Sequence, residues 1–130
     1  MAKNSVVWFE VMGRDTDKLM SFYGEMFSWP LKRSAAPGIE YYTTDKTADG
    51  IGGGIGKMPE GAGAGYATFY VRVDDVKASL ERGERLGGKV VMPAMKLPDG
   101  LEIGLLNDPE GHLVGVCSYP ACGDEGNAQK

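Results

Sequence analysis

The chain has 130 residues, long enough to bury one sizeable core and too short for two independent ones. Its 42% hydrophobic and 25% charged residues exclude a disordered or fibrous chain. Its 18 acidic and 14 basic residues are interspersed at a net charge of −4, which leaves no basic stripe to neutralise a nucleic-acid backbone. The run Val6-Val-Trp-Phe-Glu-Val11 is β-branched and aromatic and predicts a strand. Asp15 or Thr16 then caps a helix whose apolar residues Leu19, Phe22, Tyr23, Met26 and Phe27 recur at helical spacing. Pro30 and Pro37-Gly38 punctuate the chain. Ile39 to Thr44 and Gly50 to Gly56 then read as short strands about a polar turn at Asp45 to Asp49, so this half is read as βαβββ with the bounds of one strand left open.

Pro59-Glu-Gly-Ala-Gly-Ala-Gly65 has the composition of a linker, with small residues that have nothing to pack and are costly to order. Beyond it, Tyr66 to Val73 predicts a strand, Asp74-Asp75 a cap, and Val76, Leu80, Gly83 and Leu86 a helix face ending at Gly87-Gly88. Lys89 to Met92, Leu101 to Leu106 and His112 to Cys117 supply three further strands, with Asn107-Asp-Pro-Glu-Gly111 as the turn between the last two. Trp8-Phe-Glu-Val11 aligns with Thr68-Phe-Tyr-Val71 and Asp15 with Asp74, an offset of about 60 residues. The expected organisation is a first βαβββ module over 1–58, a linker over 59–65, a second module over 66–118 and a polar tail over 119–130, making one α+β domain.

No apolar run approaches the roughly 20 residues of a membrane span. The opening Met1-Ala2-Lys3-Asn4-Ser5 lacks the apolar core of a signal peptide, so a cytoplasmic protein with neither membrane nor nucleic-acid partners is expected. Cys117 and Cys122, the two cysteines, fit neither a disulfide framework nor a zinc knuckle and read as reduced thiols, Cys117 within an apolar core strand.

Phe9-Glu-Val11 followed by Asp15 and Phe22-Tyr23-Gly-Glu-Met-Phe27, then Val71-Arg-Val-Asp-Asp75, then Asn107-Asp-Pro-Glu-Gly-His112, resemble the signature stretches of the glyoxalase/bleomycin-resistance/extradiol-dioxygenase (vicinal oxygen chelate) superfamily. The resemblance spans about residues 6 to 118 and rests on the order and spacing of these segments. It implies two βαβββ modules whose curved mixed sheets form a cleft, and a homodimer. It also implies a divalent ion held by inward residues of the first and closing strands of each module. In this chain those positions carry Trp8, Thr68, Gly115 or a neighbour, and the glycine and isoleucine stretch Ile51 to Gly56, none of which ligates a metal. Lactoylglutathione lyase and ring-cleaving dioxygenase chemistry both need the ion, whereas bleomycin-sequestering relatives bind a ligand without a catalytic metal.

The sequence therefore leads us to expect no metal and no cofactor. It favours a metal-independent protein that binds a small aromatic or amphiphilic molecule in the cavity between modules. A lyase, isomerase or dioxygenase-type enzyme of the same family, using Glu10 as acid or base or an unrecognised metal site, is the alternative, and a scaffold with a vestigial pocket is a third. Strand alternation puts Trp8, Glu10 and Met12 on one face and Phe9 and Val11 on the other, and groups Thr68, Tyr70 and Arg72 in the same way. Ligand contacts are thus expected from Trp8, Met12, Thr68, Tyr70, Arg72, Gly53 and His112. Glu10 and Arg72 read either as a structural ion pair or, for Glu10, as a general acid or base. His112, the sole histidine, excludes any site needing two imidazoles.

Overall fold

Each half of the sequence opens on a β-branched, aromatic strand and then a carboxylate-capped helix. The computed structural model describes residues 4–35 and 38–118. Pro37, Cys122 and the tail expected over 119–130 lie outside those residues. In chain order the elements are β1 (Val6–Gly13), α1 (Thr16–Phe27), β2 (Lys32–Arg33), β3 (Tyr41–Thr44), β4 (Gly52–Lys57), β5 (Tyr66–Val73), α2 (Val76–Arg85), β6 (Lys89–Lys96), β7 (Glu102–Asn107) and β8 (Leu113–Ser118). This is the expected α+β pattern of two successive βαβββ runs. Asp15 caps α1 by accepting from the Lys18 amide at 3.0 Å. Asp75 does the same for α2 with the Ala78 amide at 3.0 Å. Each carboxylate satisfies a helix N–H that has no partner within the helix, at the positive end of its dipole. Neither helix is long and apolar enough to cross a membrane.

Chain contacts divide the molecule into one unit over Phe9–Ala67 and another that joins Thr68 onward to the residues before Phe9. In the first unit the strands neighbour one another in the order β2-β3-β4-β1. β2 and β3 pair antiparallel, as do β3 and β4, the latter with Tyr41 opposite Gly56 and Thr43 opposite Gly54. In the second unit the order is β5-β8-β7-β6, with β8 parallel to β5 and Tyr70 opposite Gly115. In both, the last strand of the run lies beside the first. That is what a duplicated βαβββ unit requires, because the helix crosses over and the meander then returns.

In the second unit α2 buries Val76 and Leu80 against Leu106 and Val116, with Val73, Val90, Ala94 and Val114 packed around them. In the first unit the cover is aromatic. Phe9 lies 5.1 Å from Trp29, Trp29 stacks on Tyr23 at 5.7 Å and 5°, and Phe27 closes on Trp29 at 5.2 Å. The buried hydroxyl of Thr16 donates to Glu40, tying the start of α1 to the approach to β3.

Four features differ from the sequence reading. β2 forms at Lys32–Arg33, where only punctuation is legible; its polar residues pair with β3 and carry an Arg33 guanidinium over the Tyr42 ring at 5.5 Å. β6 continues four residues past Met92 through Pro93, and its register against β7 shifts on either side of Met92, which is how a strand accommodates a residue that cannot donate to the ladder. The glycine-rich stretch over 59–65 is pinned in place. The Met58 amide donates to the Gly13 carbonyl at 2.8 Å, the Ala62 amide to Pro59 at 3.0 Å, and Arg14 Nε to the Gly63 carbonyl at 3.2 Å. Finally, Cys117 is disulfide-bonded and not a reduced thiol.

β4 contains almost no side chain, and its neighbours use the space. A Cβ at Gly53 would lie 2.1 Å from the Phe9 ring, a separation that real atoms do not reach. Gly53→Ala should therefore displace Phe9 and destabilise the protein by about 1–3 kcal/mol, the usual result of overpacking. Urea denaturation should show a lower midpoint at unchanged slope. Adding Phe9→Leu, which shortens the ring's reach, should recover part of the loss in a double-mutant cycle.

Candidate functional site

Along β1 the side chains alternate, so Phe9 covers the α1 side while Glu10 and Met12 share the other face. β4 gives that face a floor without side chains. The Tyr41 ring lies across it, close enough that a Cβ at Gly54 would meet the phenol carbon Cζ at 2.2 Å, and the Met12 sulfur would stand 2.8 Å from a Cβ at Gly56. From there the Tyr41 hydroxyl donates to Glu10 Oε2 at 2.9 Å. Tyr66, the first residue of β5, donates to Glu10 Oε1 at 3.1 Å. Both carboxylate oxygens are thus engaged by phenols, in hydrogen bonds strengthened by the carboxylate's charge. Burial, the Glu10 charge and the donated hydrogen bond, in that order, push the Tyr66 phenol far above its ordinary value.

The site so formed comprises Tyr41 and Met12 against Gly54 and Gly56, with Glu10 and Tyr66 joined to Tyr41 by hydrogen bonds at the Glu10 carboxylate. Glu10 and Met12 were legible by alternation. The two tyrosines were not, although the signal was present: a strand rich in glycine must lie beside a strand that covers it, and Tyr41-Tyr42 is the aromatic pair next to it in sequence.

Each of the other expected contact residues has its own surroundings. Trp8 is half-buried at the start of β1. Gly53 sits on the opposite face from Glu10, roofed by Phe9, so the ring takes the space in which a ligand was expected. Thr68 is buried and donates to the Leu113 carbonyl at 2.7 Å. Tyr70 is 5% exposed, its ring lying across Gly115 of β8. The Arg72 amide donates to the Ser5 carbonyl at 2.9 Å and its carbonyl accepts from the Asn4 side chain at 3.0 Å. His112 is in the turn before β8 with its side chain 76% exposed, its Nδ1 at 3.1 Å from Asp108. The His112 amide donates to Asp108 as well, and this bond, followed by the one from the Glu110 amide and the ring contact, holds the exposed Asp108 carboxyl below its ordinary value.

Among the described residues no three His, Cys, Asp or Glu side chains converge where they could hold one ion. At Glu10 a single carboxylate receives hydrogen bonds from two phenols, and no second carboxylate, imidazole or thiolate among the described residues joins it in a group of three that could hold zinc or a hard cation. The residues do not fit the divalent ion that the superfamily resemblance implies. At the end of β1, a cleft of about 490 Å³ is lined by Arg14, Lys57, Met58, Pro59, Glu60, Gly61 and Gly63.

Comparison with known proteins is consistent with this architecture. The sequence model of the family described as "Glyoxalase-like domain" matches residues 8–117. Over 113 residues the chain is 30% identical to "Putative glyoxylase CFP32" of Mycobacterium tuberculosis, covering 84% of this chain and 43% of that protein. The chain thus spans less than half the length of this mycobacterial relative. Among solved structures, methylmalonyl-CoA epimerase from Mycobacterium tuberculosis superposes with a TM-score of 0.65 at 15% identity, covering 92% of this chain and 93% of that one. A glyoxalase/bleomycin resistance protein/dioxygenase superfamily member from Vibrio splendidus gives 0.60 at 19%, covering 90% and 100%. At these identities the structural likeness concerns the fold.

The Tyr66 phenol provides a direct readout of the network. Its folded-state value is raised above the ordinary value of about 10, so the stability it contributes is complete below that pH and is lost as the pH climbs beyond it. In Glu10→Gln the neighbouring charge is gone, and the Tyr66 Cζ resonance should titrate at lower pH than in the parent protein. Burial remains in the variant, so the value should still stay above that of free tyrosine.

Proposed function

Because this chain belongs to the glyoxalase-like domain family, we propose that it binds a small aromatic or amphiphilic organic molecule, without a metal ion, on the sheet face that carries Glu10 and Met12. The observation that carries this reading is the composition of that face. A glycine floor lies under Tyr41, a pliant thioether from Met12 stands beside it, and a carboxylate held by two phenols supplies the polar point. An apolar surface with a few fixed polar groups is the ordinary make-up of a small-molecule site. Methionine adapts to the shape of what it touches, and an aromatic ring offers a flat face for stacking. Metal independence is supported by the donor set, which lacks the nitrogen, thiolate or carboxylate groupings that hold catalytic ions.

Two measurements test the reading. Metal analysis of the purified protein should find no stoichiometric ion, and nickel, zinc, manganese and iron should leave the melting temperature unchanged; a large metal-specific stabilisation overturns metal independence. Titration with 1-naphthol, followed by amide correlation spectra, should move the Met12 and Tyr41 resonances saturably. Met12→Gln should weaken that binding by about tenfold, the consequence of placing a polar group in an apolar contact worth about 1.4 kcal/mol. Failure of any aromatic or amphiphilic probe to reach those resonances overturns the binding reading.

A second reading has its own support. A carboxylate oriented at both oxygens and partly removed from water is an acid–base group, and a methylmalonyl-CoA epimerase is among the structural neighbours. Under this reading Glu10 shuttles a proton on a bound carbonyl compound. Glu10→Gln should then abolish turnover of any substrate found, by about 100-fold or more, the usual contribution of a general acid or base. Ligand affinity should survive within a few-fold. Unchanged turnover in a folded Glu10→Gln variant excludes the role.

A further inference from the structure

We propose that the cleft at the end of β1, between Arg14 and Lys57, is an anion subsite that takes a carboxylate or phosphate group of the ligand. It is open: the positions a Cβ would take at Gly61 and Gly63 have no atom within 4 Å. The cleft measures about 490 Å³, room for a charged group and part of what carries it. Two cations and one carboxylate, Arg14, Lys57 and Glu60, line it. They leave a net positive charge of one in a chain whose overall charge is −4, so the cleft runs against the field of the whole molecule.

The walls are held in place from both sides. The Met58 amide donates to the Gly13 carbonyl at 2.8 Å, and Gly65 approaches the Met12 carbonyl so closely that a Cβ there would lie 2.0 Å from its oxygen. Arg14 is fixed by its Nε bond to the Gly63 carbonyl at 3.2 Å, which engages one of the five guanidinium N–H groups and orients the fork. A guanidinium anchored in this way loses less freedom on meeting an anion than a free surface arginine does.

Chain connectivity relates this cleft to the apolar face. Arg14 follows Met12 by two residues, just past the end of β1, and Lys57, the last residue of β4, follows Gly56, the glycine beside the Met12 sulfur. A ligand whose apolar body lies on Met12 and Tyr41 would carry its anionic end into the cleft. The apolar half of this picture rests on the reading under "Proposed function"; the anion subsite itself does not.

The test is an amide correlation titration of the full chain, at low salt, with inorganic pyrophosphate, with benzoate, and with benzyl alcohol as the uncharged control. The Gly61 and Gly63 amides should move saturably with at least one of the two anions and stay still with benzyl alcohol. A response to pyrophosphate alone assigns the cleft to phosphate groups, and one to benzoate alone assigns it to carboxylates. Lys57→Gln, which leaves the Arg14 bond to Gly63 untouched, should weaken the anion by about threefold to tenfold, as expected for loss of one charge-assisted contact. Arg14→Gln with Lys57→Gln should abolish the response, and Glu60→Gln should tighten it. No saturable shift with either anion, or equal affinity in the double variant, overturns the subsite. If 1-naphthol still moves Met12 and Tyr41 in that case, the binding reading survives. If the anions act but no aromatic probe binds, the subsite stands and that reading falls.

Discussion

The first unit depends on a strand that, Ile55 and Lys57 apart, carries no side chains. β4 reads Gly-Gly-Gly-Ile-Gly-Lys, and its glycines let a phenylalanine lie on one side and a tyrosine on the other at distances no Cβ would tolerate. On the α1 side Phe9 settles over Gly53 and begins the series of rings that runs through Trp29, Tyr23 and Phe27. On the other side Tyr41 lies flat across Gly54 and Gly56, which brings its hydroxyl to Glu10. Glycine in a strand interior weakens the strand by itself, and here the aromatic rings that pack into the vacated space provide the compensating contact.

The same arrangement explains how a carboxylate tolerates partial burial. An unpaired Glu10 against tyrosine and methionine would be costly, since burial disfavours the charged form. Two phenol hydroxyls offset that cost, one delivered by β3 across the glycine floor and the other by the first residue of β5. The result is a charge fixed in position among apolar and aromatic groups. Ligand recognition uses such a group for orientation, and proton transfer uses it as an acid or base. Membership of the glyoxalase-like domain family places the chain among proteins that share a scaffold and differ in their chemistry. At the positions where the resemblance implies metal ligands the sequence carries Trp8, Thr68 and the glycines of β4.

Local signals were read well wherever a single residue type has one strong conformational consequence. Asp15 and Asp75 each cap a helix because a short carboxylate before an apolar-periodic run has few better partners than the helix N–H groups. Tyr66 to Val73 forms the strand its β-branched and aromatic residues call for. β2 escaped notice because Lys32 and Arg33 carry no periodic pattern and form a strand only because β3 is there to pair with. The 59–65 stretch reads as a linker from composition, and only the Gly13, Gly63 and Gly65 contacts turn it into the wall of a cleft. Cys117 reads as a thiol from its spacing to Cys122, and its bonded state was beyond reach of that rule.

By itself the sequence determined the order of every element but β2, the duplication, the family and the face of β1 on which Glu10 and Met12 lie, because helical and strand periodicities act over a few residues and need no knowledge of neighbours. The tertiary structure decided what those residues meet. Glu10 finds Tyr41 and Tyr66, 31 and 56 positions away, only after β3 has paired with β4 and the chain has returned into β5. Gly53 and Gly54 are equivalent as letters, yet one is roofed by Phe9 and the other by Tyr41, because adjacent residues of a strand face opposite ways and each face has its own neighbours. Alternation is a local property of the chain, whereas the occupant of each face is set by distant residues brought together on folding.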